Sequence, residues 1–204
     1  MSEPIMGPGR LEAFSDGVIA IIITIMVLEL QVPHEANFAA LVKLSPVLLS
    51  YALSFVVVAI MWVNHHYLLH LAKRADARLL WANNILLFWM SLIPFVTRYI
   101  GLNPSSPFAV ALYGAVLTLS AMAFTWLRHA VNQHHLDNVE LSAYNRTMLR
   151  KSAFSTALYA VSVPLAYNSV HIAYGIFVVI PILYFLPERK LAKPSEELSG
   201  PVQE

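Results

Sequence analysis

The sequence predicts an all-α membrane protein with six transmembrane helices, and three observations predict it. Of 204 residues, 58% are hydrophobic and only 12% charged, with a mean hydropathy of +0.62, against roughly 25% charged in a soluble domain. Apolar runs of membrane-spanning length recur along the chain. The basic residues fall almost entirely on one side of those runs.

The first apolar segment, residues 10–32, reads RLEAFSDGVIAIIITIMVLELQV. Its uncharged core, Gly17 to Leu28, would measure about 18 Å as helix, too short for a hydrocarbon slab of roughly 30 Å. The span must therefore reach into its polar flanks, which places Ser15 and Asp16 at or just inside one interface and Glu29 near the other. Unpaired ionisable groups at that depth cost about 2.5–3.5 kcal/mol, so each needs a partner or water.

The second segment, 45–69, closes on Trp62, Asn64, His65, His66 and His70, and the third spans 79–100. The fourth spans 107–128. The fifth and sixth, 152–167 and 170–186, are short and joined tightly at Asn168-Ser169. Pro94, Pro164 and Pro181 are expected to interrupt the third, fifth and sixth helices, because proline removes a backbone donor and clashes with the preceding turn. Residues 129–150 read as a cytoplasmic connector with possible helical character, 187–204 as a disordered tail, and 1–9 as a short N-terminal segment. One membrane domain, 10–186, accounts for the rest.

With the N-terminus cytoplasmic, the inner side holds Arg10, Lys73, Arg74, Arg78, Arg128, Arg146, Arg150, Lys151, Arg189, Lys190 and Lys193, against Lys43 and Arg98 outside. That asymmetry, with an even number of spans, predicts two cytoplasmic termini in the cell membrane. The opening MSEP lacks the basic stretch of a cleavable signal, so the first segment is expected to stay in the mature protein. Thirteen basic against twelve acidic residues, without clustering, give no footprint for nucleic acid. Zero cysteines exclude disulfides and thiolate chemistry.

At 100° per residue, Arg10, Phe14, Gly17, Thr24, Ile25 and Leu28 lie within about 60° of Ile21, while Asp16 falls near 220°, beside Ala20, Ile23 and Val27. Taken alone, the Ile21 stripe is ordinary helix packing, since apolar stripes are routine in membrane helices. Asp16, behind it, is expected to bond a neighbouring helix, or else to be a partly solvated interfacial acid. The polar end of the second helix lies at the same depth, so an imidazole or indole N–H can reach the Asp16 carboxylate, with Arg10 and Ser15 completing the set. His66 and His70, four apart on one face, would suit a metal, but no Glu or Cys on that helix completes a site. The expectation is no metal and no cofactor. His129, His134, His135 and Asp137 are expected to face solvent, and nothing in the sequence gives His34 or His171 a partner.

Arg10-x-x-x-Phe14-Ser15-Asp16 opening the first helix, Trp62-x-x-His65-His66 closing the second and Leu92-Ile93-Pro94-Phe95-Val96-Thr97 in the third resemble the transmembrane protein 175 family of potassium channels. The resemblance covers at least the first hundred residues and the six-helix plan, in the prokaryotic form with one such unit per chain. It implies a homotetramer conducting K+, with its first helices around a central pore and no glycine-rich carbonyl filter; this chain has no TVGYG-like loop. It further implies that Ile21 forms a narrow apolar ring, Thr24 a hydroxyl layer one turn outward and Leu28 a further apolar ring, with Ile25 on the same stripe. Arg10, Phe14, Ser15 and Asp16, with Trp62, Asn64 and His65 or His66, would form the network between helices.

Four isoleucines around an axis offer no oxygen to a dehydrating ion, so a closed ring blocks by contact and dewetting. Two other classes remain open: a secondary transporter built on broken helices, and a membrane enzyme using histidine-bound metal. Against the first stands the lack of a mid-membrane acid or inverted repeat. Against the second stands the absence of HExxH, GxSxG or a phosphate-binding glycine loop.

Overall fold

Proline stands in the first turn of four helices, where its missing N–H costs nothing. A computed structural model describes residues 7–72, 74–133 and 139–185, which form eight α-helices: α1 (Pro8–Leu28), α2 (Phe38–Lys43), α3 (Ser45–His70), α4 (Ala77–Ser91), α5 (Ile93–Leu102), α6 (Pro107–Asn132), α7 (Val139–Asn168) and α8 (Val170–Phe185). Pro8, Pro46, Pro94 and Pro107 each stand in a first turn. Side-chain caps satisfy other orphan amides: Asn37 accepts from the Ala40 N–H at 2.8 Å and Asp76 from the Leu79 N–H at 2.9 Å.

Four stretches are long and apolar enough to cross a membrane: α1, α3, α4 with α5 as the continuous run Ala77–Leu102, and α6. The α7–α8 pair follows, α8 being a shorter apolar helix. The expected connector is largely helical, since α6 runs on to Asn132 and α7 starts at Val139. Residues 1–6 of the segment expected at 1–9 and all of 187–204 fall outside the described residues, as do Lys73, His134, His135, Asp137, Arg189, Lys190 and Lys193, while Pro8 and Gly9 belong to α1.

Three expectations need correction. The first helix ends at Leu28, not Val32: Glu29 is its C-cap, and Pro33 bars any continuation. Only Pro94 marks a break, at Leu92 between α4 and α5; α7 and α8 run through Pro164 and Pro181, each forfeiting one ladder bond without stopping. The short α2 falls where no helix was expected.

Packing centres on α6, which lies against α4 on one side and α7 on the other, while α1 packs on α3, α4 and α5. Phe177 of α8 sits among Tyr113, Tyr159 and Tyr174, its ring 5.0 Å from that of Tyr113. The buried hydroxyls of Thr97, Ser54 and Tyr113 form a chain with spacings of 2.7 and 2.9 Å, tying α5, α3 and α6 together. Small residues allow close approach. A Cβ on Gly101 would stand 2.9 Å from the Val47 Cα, so α5 meets α3 backbone to backbone there.

Candidate functional site: the free face of the first helix and its polar anchor

One side of α1 is fully packed. Leu11, Ser15, Ile19, Ile22 and Met26 are all buried against α3, α4 and α5. Another face is largely uncovered by the described residues: Ile21 is 58% exposed, Ile25 40% and Leu28 80%, with Arg10, Phe14, Gly17 and Thr24 also exposed. The Thr24 hydroxyl donates to the Ile21 carbonyl at 2.9 Å, leaving its oxygen lone pairs as the polar feature of an otherwise apolar row. The uncovered arc is wider than the stripe, since Val27 is also 46% exposed.

At the other edge of α1, near its N-terminus, three side-chain bonds anchor the helix. The Trp62 indole N–H donates to an Asp16 carboxylate oxygen at 2.9 Å, joining α3 to α1. One turn away, His66 Nδ1 lies 2.8 Å from the Glu12 carboxylate. The third bond is buried and runs through α4. The Ser15 hydroxyl donates to the Leu11 carbonyl at 2.8 Å, so it must accept from the Asn83 amide, 3.0 Å away. The Asn83 carbonyl oxygen then faces His65 Nε2 at 2.7 Å, which fixes the proton on that nitrogen. Asn83 thus holds α1, α3 and α4 at one point, with all three side chains fully buried.

This arrangement differs from the expected network in four respects. Ser15 lies on the buried side and bonds through Asn83, away from Asp16. Neither histidine takes Asp16: His65 pairs with Asn83 and His66 with Glu12. Asn64 turns back to the Ile60 carbonyl of its own helix at 2.8 Å. The Arg10 side chain has no ion pair or hydrogen bond among the described residues, and Phe14 is 56% exposed. Sequence reading missed Glu12 and Asn83. Both left a signal: Glu12 stands one turn before Asp16, and Asn83 is a polar amide inside an apolar span, where it needs a partner.

At its far end α1 is tied once more, by the Glu29 carboxylate to the Arg98 guanidinium of α5. The helix is therefore held by charge or hydrogen bonds at both ends, with an unbonded apolar row between them on its outer side.

Residues 10–94 match the family described as the endosomal/lysosomal potassium channel TMEM175. A potassium channel of Chryseobacterium sp. (strain P1-3) is 38% identical, the match covering 94% of this chain and 100% of that protein. A potassium channel of Chamaesiphon minutus is 32% identical, covering 87% of this chain and 93% of its own. Among solved structures, the crystal structure of a lysosomal potassium-selective channel TMEM175 homolog from Chamaesiphon minutus superposes with a TM-score of 0.77 at 31% identity. That superposition covers 88% of this chain and 96% of the other.

Proposed function

Because the chain belongs to the TMEM175 family of potassium channels, we propose that it is a passive, potassium-selective channel of the cell membrane. Each chain crosses the membrane six times with both termini cytoplasmic, and four copies surround a pore lined by α1. The observation that carries this reading is the free row Ile21, Thr24, Ile25 and Leu28, apolar but for one hydroxyl and left uncovered while the opposite side of α1 is fully packed. A pore-lining helix needs one face held rigidly by its own subunit and another free to meet its copies and the ions.

In this arrangement Ile21 is the constriction. With its ring closed, an ion would have to shed water against methyl groups, and the passage dewets. Widening the ring brings the Thr24 hydroxyls into contact with a partly dehydrated ion. K+ gives up water more readily than Na+, so such a site favours K+ modestly, without the sharp discrimination of a carbonyl cage. Asp16, held from behind by Trp62, positions the helix and does not ligate the ion. A transporter built on broken helices has less support, since α7 and α8 continue through their prolines.

Purified protein in liposomes, given K+ and then Na+ gradients, tests this reading. Passive flux favouring K+ is expected. Equal rates for both ions, or tight liposomes holding folded and inserted protein, would overturn it.

A further inference from the structure

The structure assigns Glu12, Asp16 and His66 a second role: we infer that they form a binding site for a divalent transition ion of the Zn2+ type, bridging α1 and α3. Glu12 and Asp16 lie one turn apart on α1, and His66 comes from α3. One ligand atom from each can be chosen so that all three lie within 4.8 Å of one another. A tetrahedral ion with bonds of about 2.0–2.2 Å needs its ligands roughly 3.4 Å apart. His66 Nδ1 and Glu12 are already at 2.8 Å, so side-chain rotations of about an ångström, without backbone movement, would complete the set. Two carboxylates and an imidazole leave the fourth position to water, which is the coordination of an open zinc site.

Charge points the same way. Like charges one helical turn apart repel, and both acids are only partly exposed. Among the described residues no lysine or arginine pairs with either acid, and the one cation offered is His66 when protonated. His65 lies within electrostatic reach of Asp16, Glu12 and His66 but brings no compensation. Asn83 holds its proton on Nε2, and its Nδ1 lone pair is buried without a partner. A divalent ion would balance the two carboxylates and displace any proton from His66. The outer shell is in place as well. The Trp62 indole fixes one Asp16 oxygen, leaving the other free, as groups behind metal ligands do.

Zn2+ titration of the purified, detergent-solubilised chain by calorimetry tests the site. One ion per chain is expected, with affinity falling at least thirtyfold in Glu12→Gln and His66→Ala and about tenfold in Trp62→Phe, while His70→Ala matches wild type. Co2+ gives a reading that depends on no variant: a bound ion should show the visible absorption of an ordered, low-coordinate site. Absence of Zn2+ binding, binding unaffected by Glu12→Gln and His66→Ala, or only the spectrum of hydrated Co2+ would overturn the inference.

Discussion

Replacing Ile21 with asparagine is expected to raise sodium permeability toward that of potassium, and Ile21→Ala is expected to leave a standing leak. Both follow from what the isoleucine withholds. A ring of methyl groups gives a dehydrating ion nothing in exchange for its water, so the energetic penalty falls harder on the more tightly hydrated Na+. Asparagine supplies an amide oxygen at the constriction and removes that difference. Alanine keeps the surface apolar but shortens the side chain in every copy of the proposed tetramer at once, widening the ring enough to stay wet. Lowering the barrier by ~1.4 kcal/mol multiplies flux about tenfold, so a leak of that size is the threshold expected in a liposome assay. Selectivity and resting flux that match wild type in both variants would remove Ile21 from the constriction.

The second large effect is expected at Asn83, on α4. Asn83→Leu keeps the approximate volume but takes away the acceptor of the His65 N–H and the donor to the Ser15 hydroxyl, both in fully buried residues. Each group left without its partner costs about 1–3 kcal/mol. The folded chain should therefore melt well below wild type in detergent. Asp16→Asn should cost less, because its side-chain carbonyl can still accept from Trp62 at a partly exposed site. If Asn83→Leu melts with wild type while Asp16→Asn collapses, the three-helix junction is not where the subunit is held.

That Ile21, Thr24, Ile25 and Leu28 share one face of α1 was legible from the sequence, because a 3.6-residue period places them together whatever packs behind them; that the face is left uncovered was not, since the period alone reads as ordinary helix packing. That the Trp62, His65 and His66 end of α3 meets the start of α1 was legible too, from counting residues along two antiparallel apolar spans. The pairing within that cluster was not. Choosing between His65, His66 and Trp62 as the partner of Asp16 depends on how α3 is rotated against α1. Asn83, which bonds to both helices, lies 68 residues from Ser15 in sequence. Helix breaks were also poorly legible at prolines. Residues 164 and 181 look like 94 in sequence, yet packing against α6 and around Phe177 carries α7 and α8 through. Helix length was misjudged at Leu28 because hydrophobicity continues past the point where Glu29 turns to Arg98.

The central claim, that the Ile21 stripe faces the ion path, can be tested directly because the chain has no cysteine of its own. Single cysteines at Thr24, at Val27 and at the buried Ile22 would be exposed to a positively charged methanethiosulfonate reagent while K+ flux is recorded. Modification at Thr24 is expected to block flux, with Val27→Cys and Ile22→Cys channels conducting as before. Block at Val27 with none at Thr24 would mean that another face of α1 meets the ions, and the account would be wrong at its centre.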